Sequence, residues 1–216
     1  MPHQFSRRQA KARLAKAVEA VESRSSAEVM VVGRPWSGHY RHIDLAAGSA
    51  LALLTLLTIL FTDLYFTPLS VVINVVVAFV LGMCLMISAT PLRLKLATRS
   101  LVARHVETLA QALFFRLGVH RTRDRSGILV FVSLLEKRCT VVPDVGVTTA
   151  LGGEAWRLLE DPIERAVERY GVGPTGVEQL ARAIEAMTEP LEAALPIRHD
   201  DINELPSFVD HEESID

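Results

Sequence analysis

The feature that most constrains this chain is a stretch of about 45 residues, from Leu45 to Ala89, in which the only charged side chain is Asp63. Two apolar runs, residues 45–62 and 69–89, make up most of it. As α-helices rising about 1.5 Å per residue, each run can cross a hydrocarbon core roughly 30 Å thick. A buried helical pair in a soluble core is the alternative, but such cores rarely need two adjacent runs of this length. We therefore expect the chain to enter a membrane.

Composition excludes several other classes of protein. Half of the 216 residues are apolar and 22% are charged, which does not fit a disordered chain. Two cysteines, Cys84 and Cys139, are too few for a disulfide scaffold. The net charge of −2 gives no indication of a polyelectrolyte partner, so we expect no binding to nucleic acid.

The segment between the two runs, residues 63–68, contains an acid, a proline and two aromatic side chains, but no Lys or Arg. It predicts a tight turn, and hence a transmembrane helical hairpin over residues 44–90. The basic residues that flank the hairpin are Arg34, Arg41, Arg93, Lys95, Arg99 and Arg104. Because cytoplasmic flanks are enriched in Lys and Arg, we expect a multi-pass membrane protein with both termini cytoplasmic. Its first partners are then the lipid bilayer and anionic lipid head groups.

Small residues occur on both apolar runs. Gly48 and Ala52 lie on the first run, and Ala78 and Gly82 lie on the second. Counted from the cytoplasmic ends, Ala52 and Gly82 are expected at the same depth. Small residues allow close approach of helix backbones, either within one hairpin or between two copies of the chain. A homo-oligomer therefore remains open.

Hydrophobic periodicity and turn residues predict the remaining elements. In chain order these are a helix over 4–24, a strand over 29–32, a long helix from Pro91 to about Leu117, strands over 128–133 and 139–142 joined by a turn at Glu136–Lys137, and helices over 154–170 and 177–195. A strand–helix–strand step favours a parallel crossover, whereas a tight turn makes its two strands antiparallel. The chain is thus expected to form a small α/β sandwich with a mixed sheet, in which residues 29–32 pair with 128–133.

The predicted organisation has four parts. Residues 1–43 hold the N-terminal helix and first strand, 44–90 the hairpin, 91–196 the remainder of the soluble domain, and 197–216 an acidic tail. Residues 199–216 contain seven acidic residues and no Lys or Arg. Apolar residues are also closely spaced there, including Leu205 and Phe208, so we expect Asp200 to Val209 to dock as an extended segment, with Asp200, Asp201 or Glu204 meeting arginines. The groove that receives the segment could belong to this domain, to the basic helix over 91–125 or to a second copy of the chain.

Several segments resemble a known family. They are Ala112–Val119 (ALFFRLGV), Asp124–Val132 (DRSGILVFV), the strand running into Asp144-Val145-Gly146, the opening Ser25–Val32 (SSAEVMVV) and the closing Asp200–Pro206 (DDINELP). Together they resemble the TPM domain family, named after thylakoid and photosystem-repair proteins and a receptor modulator, and in particular its short bacterial membrane-bound members. The resemblance implies an α/β/α sandwich, here interrupted after the first strand by the two-helix transmembrane hairpin. It also implies that the membrane is the bacterial inner (cytoplasmic) membrane.

The resemblance also implies expectations about chemistry. Some family members are credited with acid phosphatase activity, or with binding divalent metal at acidic loop residues, which match Asp124 and Asp144 here. Bacterial members are considered alongside LemA-type membrane proteins, so a partner of that type is implied.

The loop around Asp124 is crowded with cationic candidates, namely His120, Arg121, Arg123 and Arg125. As a site, these residues would bind an anion such as phosphate, and Asp124 or His120 could move a proton. As an electrostatic feature, the arginines would lie against an anionic leaflet. Three guanidinium groups oppose a divalent cation, so we expect no cofactor, although a divalent cation at Asp124 and Asp144 is possible.

These observations lead to two functional hypotheses, and no residue is identified as catalytic. The first is a membrane-anchored, cytoplasm-facing TPM-like domain acting as an interaction or assembly module. The alternative is a phosphatase or metal-dependent phosphate-processing enzyme held at the membrane.

Overall fold

The structure, a computed structural model, describes residues 7–38, 40–62, 65–197, 205–206 and 208–209. The chain divides into two compact units, residues 1–37 with 103–216 and residues 38–102. The elements of the first unit are α1 (Arg7–Glu22), β1 (Glu28–Arg34), most of α5 (Arg99–Arg116), a 3-10 turn (Val119–Arg121), β2 (Gly127–Ser133), β3 (Arg138–Pro143), α6 (Val145–Leu151), α7 (Gly153–Tyr170), α8 (Pro174–Glu185), α9 (Thr188–Ala194) and β4 (Phe208–Val209). The second unit contains α2 (Arg41–Leu60), α3 (Pro68–Ser88) and α4 (Thr90–Leu96).

The first unit is built around a mixed sheet with strand order β3-β2-β1-β4. β1 pairs with β2 in parallel, from Glu28 opposite Gly127 to Arg34 opposite Ser133. β2 pairs with β3 in antiparallel fashion, and β4 adds to the other edge of β1 in parallel. The expected mixed sheet, with 29–32 parallel to 128–133, is therefore confirmed.

Apolar side chains cover both faces of this sheet. Ile128 and Val130 of β2 face a core that includes residues of α1, α7, α8 and α9. Leu129 and Phe131 face the opposite core, to which α5 contributes. A strand with helices on both faces must be apolar at successive positions, which explains the unbroken apolar run along β2.

The second unit contains the two apolar helices, which pack against each other. α2 has 20 residues and α3 has 21, and the structure places only small residues of α3, Ala78 and Gly82, in buried positions. A Cβ built on Gly82 would lie 2.9 Å from the Ala47 carbonyl oxygen and 2.9 Å from the Cα of Gly48. Gly48, and not Ala52, therefore lies at the depth of Gly82. The expected equal depth of Ala52 and Gly82 is wrong by about one helical turn.

The predicted long helix after Pro91 is two helices. α4 ends at Leu96, where Ala97 has extended backbone, and α5 begins at Arg99. The Thr98 carbonyl accepts the amides of Leu101 and Val102, so a new helix starts beside Thr98. Threonine is a favoured residue at helix starts, whereas the apolar periodicity is continuous across the break.

The predicted helix over 177–195 is also two helices, α8 and α9. Pro190 provides the reason, because a proline inside one continuous helix would clash with the preceding turn and remove an amide donor. In addition, α6 occupies Val145–Leu151, a segment for which the sequence predicts no element. Seven residues are too few for a helical period to stand out from the sequence.

The acidic tail lies mostly outside the described residues. Of the segment expected to dock, Leu205 packs against the α5 side of the core, and Phe208–Val209 form β4. Of the described part, Phe208–Val209 are therefore extended, and Leu205 is seated on the first unit. The suggested pairing of Asp200, Asp201 or Glu204 with arginines lies outside the described residues.

Candidate functional site

The two segments that carry the acidic candidates meet at one corner of the sheet, at the amino end of β2. Asp144 follows β3, which runs antiparallel to β2, and its amide donates to the Gly127 carbonyl at 2.8 Å. The amide of Gly146 donates to the Arg125 carbonyl at 3.0 Å. Strand register therefore brings Asp124, Arg125 and Asp144 into one corner.

Asp144 has a structural role in this corner. Its side chain is 3% exposed and caps α6, because Oδ1 accepts the Val145 amide at 2.7 Å. The same carboxylate pairs with Arg125, whose Nε lies 3.1 Å from Oδ1 and 3.0 Å from Oδ2. A buried carboxylate needs such partners to offset its loss of hydration. The guanidinium and the helix start thus engage the charge that a metal ion would require, although Oδ2 accepts no hydrogen bond within the described part of the chain.

Asp124 differs from Asp144 in its environment. Asp124 is exposed, whereas Asp144 is buried. Among the residues that the structure describes, no group of three or more His, Cys, Asp and Glu side chains is placed to hold a metal ion. The two carboxylates expected to bind a metal ion therefore do not share one environment, since Asp124 lies at the surface and Asp144 is buried.

The four anion-binding candidates have different local settings. Arg121 and Arg123 are exposed, and Arg125 is half-exposed while paired with Asp144. The ring of His120 packs against Phe115, with 5.2 Å between the ring centroids, and its Nδ1 is buried without a hydrogen-bond partner in the described part of the chain. His120 thus packs on Phe115 and Arg125 pairs with Asp144, while the side chains of Arg121 and Arg123 lie at the surface of the loop.

Arg125 also adopts an unusual backbone conformation. Its φ of 55° lies in the left-handed region, which costs a non-glycine residue about 1–3 kcal/mol. Such a conformation persists only where contacts with the surrounding structure offset that cost. The Arg125 amide donates to the Thr122 carbonyl at 3.0 Å, its carbonyl accepts from Gly146, and its side chain meets Asp144. These three contacts hold Arg125 in place, and two of them join the loop to the start of α6.

A second polar cluster lies at the opposite, carboxyl end of β1 and β2, and its residues were not among the sequence candidates. The Ser37 hydroxyl donates to the Ser133 hydroxyl at 2.6 Å, and Ser133 in turn donates to the Glu136 carboxylate. The Ser37 amide also donates to Glu136, at 3.0 Å. Ser133 is fully buried, so the cluster joins the segment after β1 to the turn after β2. Its only sequence signal is a polar residue ending an apolar strand.

The second unit contains a buried ion pair that was also not predicted. Arg93 Nη2 lies 2.6 Å from Asp44 Oδ2, and the two side chains are 21% and 5% exposed. The Arg93 guanidinium lies 5.7 Å from the ring centre of Tyr40, within the range of a cation–π contact. The first apolar helix begins at Arg41, so it includes this acid, and Arg93 is a paired rather than a free flanking cation.

Comparison with known proteins shows a likeness of fold. No protein-family model matches this chain, and no curated protein matches it. The structure is similar to the NMR structure of the BA42 protein from the psychrophilic bacterium Bizionia argentinensis, with a TM-score of 0.56 and 15% sequence identity over 97% of this chain and 98% of that one. At this identity, the likeness concerns the mixed α/β fold, and the TPM resemblance remains a prediction.

Proposed function

We propose that this chain is a membrane-anchored protein of the bacterial inner membrane. In this proposal α2 and α3 form a transmembrane hairpin that interrupts a cytoplasm-facing, TPM-like α/β/α sandwich, and the sandwich acts as an interaction or assembly module. The observation that carries the proposal is the exposure of large apolar side chains along α2 and α3.

These helices expose what a soluble core would bury. Of the most apolar 18 residues of α2 only 22% are buried, and of the corresponding 18 residues of α3 only 11% are buried. Leu60, Leu69 and Leu85 are 72%, 71% and 69% exposed. Burying a leucine is worth about 1.5–3 kcal/mol, so many such side chains in water would be strongly unfavourable. Lipid is the solvent that suits them.

The site geometry supports a binding role over catalysis. Asp144, the buried carboxylate of the arginine loop, is engaged by the start of α6 and by Arg125. A phosphate-processing site would need that carboxylate for a metal ion or a proton transfer. The exposed cations Arg121 and Arg123 fit contact with an anionic surface instead. A membrane protein of LemA type is the partner implied by the TPM resemblance.

Orientation in the proposal follows the flanking basic residues. The flanking cations that favour a cytoplasmic location are Arg34, Arg41, Arg93, Lys95, Arg99 and Arg104, of which Arg93 is paired to Asp44. Both termini then lie in the cytoplasm and only the turn around Tyr65 lies outside.

Cysteine labelling tests the anchor and its orientation. Single cysteines at Thr67 or Ser214, in a chain with Cys84→Ala, are exposed to a membrane-impermeant thiol reagent in spheroplasts and after lysis. We expect Thr67→Cys to react in intact spheroplasts and Ser214→Cys to react only after lysis. Cys139 is an internal control, since it is buried and burial raises the pKa of its thiol. Recovery of the chain in the soluble fraction would contradict the anchor, and the reverse labelling pattern would contradict the orientation.

A further inference from the structure

The outer edge of β1 carries the C-terminal segment of the chain. Phe208 and Val209 pair in parallel with Val31 and Val32. β1 is seven residues long, whereas the ladder with β4 is only two residue pairs long. A sheet edge of this kind is a template for the addition of an extended segment.

The hydrogen-bond direction along β1 identifies the groups that face this edge. The Glu28 amide and the Arg34 carbonyl both bond on the β2 side of the strand, at 3.2 and 2.9 Å. Because alternate residues of a strand direct their backbone groups to opposite edges, Val29, Val31 and Gly33 face the other side. These three residues form the acceptor edge.

The two ends of the acceptor edge differ. At its beginning, the Val29 amide donates to Glu22 Oε1 at 3.1 Å, so a side chain occupies this position. At its end, the space over the sheet face at Gly33 is open, because a Cβ built there meets no atom within 4 Å. Glu22 therefore limits how far a segment can extend along this edge at Val29.

Leu205 provides the other contact of the segment. It packs against the apolar cluster that includes Met30, Val32 and Leu113. An apolar anchor followed, after a short spacer, by residues that join a ladder is the pattern of peptides that bind by strand addition. The segment on the acceptor edge thus also defines the kind of peptide that the edge fits.

We propose that the acceptor edge exchanges the C-terminal segment, residues 205–209, between two copies of this chain. The contacts of the segment are identical whether it comes from its own chain or from a second copy, and a two-residue ladder is released more easily than a full strand. Two copies anchored in one membrane meet at high effective concentration. The proposal deepens the interaction function, on which it rests for that anchoring, by naming the surface and the partner.

Peptide binding tests whether the edge accepts the segment in trans. The probe is a fluorescent peptide with the sequence of residues 199–216, added to the full-length chain in mild detergent and followed by anisotropy. The register makes the Val209 amide a donor to β1, so Val209→Pro removes that donor and frees the edge. We expect Val209→Pro to bind the peptide at least tenfold more tightly than the unchanged chain, whose own segment competes. Val209→Thr keeps the amide and should bind like the unchanged chain.

Equal affinity of the unchanged chain and Val209→Pro would overturn the acceptor site, as would absence of binding by a Val209→Pro chain that melts at the same temperature as the unchanged one. Co-purification of two differently tagged full-length copies then tests the partner, and Val209→Pro in both copies should reduce it at least tenfold. Peptide binding without co-purification would overturn the assignment to a second copy. If the peptide and co-purification experiments fail but the cysteine labelling gives the expected pattern, the exchange is wrong and the membrane anchor still holds.

Discussion

Gly146 and Arg125 approach each other through their backbones, with no room for a side chain between them. A Cβ built on Gly146 would lie 2.6 Å from the Arg125 carbonyl oxygen and 2.4 Å from that of Asp124. Both distances are well below van der Waals contact, so glycine is required at 146 to hold the loop against α6. Substitutions at this contact can be tested directly.

Gly146→Ala should destabilise the first unit by about 1–3 kcal/mol, because the new methyl group must displace backbone. Gly153→Ala is the matched control, since a Cβ there meets no atom within 4 Å. The control should change stability by less than about 0.5 kcal/mol. Urea unfolding of the full chain with Cys84→Ala, followed by labelling of the buried Cys139 thiol, measures both. Equal midpoints for the two variants would contradict the contact.

Asp144→Ala should cost about 1–2 kcal/mol, because α6 loses its cap and Arg125 loses its partner. Asp124→Ala should cost less, since Asp124 is exposed. The same thiol-labelling assay measures both variants, with and without millimolar Ca²⁺ or Mg²⁺. Stabilisation of the unchanged chain by a divalent ion, lost in both variants, would contradict the structural role and favour a metal site.

Asp44→Asn and Arg93→Met should each destabilise the second unit by about 3–5 kcal/mol, because each leaves one buried charge without its partner. The double variant should recover most of that loss, since it removes both charges together. Unfolding in mixed micelles with increasing SDS, followed by far-UV circular dichroism, measures the coupling. Additive effects of the two single changes would show that the pair is not coupled.

The pH dependence of stability should report Glu178. Hydrogen bonds from Arg13 and Arg182 lower the pKa of Glu178 to about 2. An unfolded glutamate has a pKa of about 4.3, so the ionised form is favoured in the folded chain. The contribution is fully present above about pH 4.5 and is lost as the pH falls toward 2. In urea unfolding at stepped pH, Glu178→Gln should flatten this decline, and Glu189→Gln should not.

The sheet could be predicted from the sequence because its strands are short, apolar and separated by turn residues. Val29 to Val32 and Ile128 to Val132 are apolar at successive positions, a local pattern with one good explanation, burial on both faces. The break at Thr98 and the two-residue strand β4 produce no comparable pattern of apolar residues in the sequence. Their bounds depend on tertiary contacts, which local pattern does not contain.

The residues of the candidate site could be predicted from the sequence, but the contacts among them could not. The strand order implied that the Asp124 loop and Asp144 would lie near each other, but not that Arg125 would pair with the acid expected to bind metal. The Asp44–Arg93 pair was hidden for a related reason. A charge near the end of an apolar run normally marks its boundary, and its partner is 49 positions away.

The parallel pairing of β1 with β2 has a consequence for biosynthesis. The paired residues are about 100 positions apart, and both apolar helices lie between them. The nascent chain therefore holds β1 without its main partner until the whole insert has left the ribosome. In the proposed topology, a copy with only one of the two helices across the bilayer would leave β1 and β2 on opposite sides and could not complete the sheet. Pairing of β1 with β2 would therefore require that both helices cross.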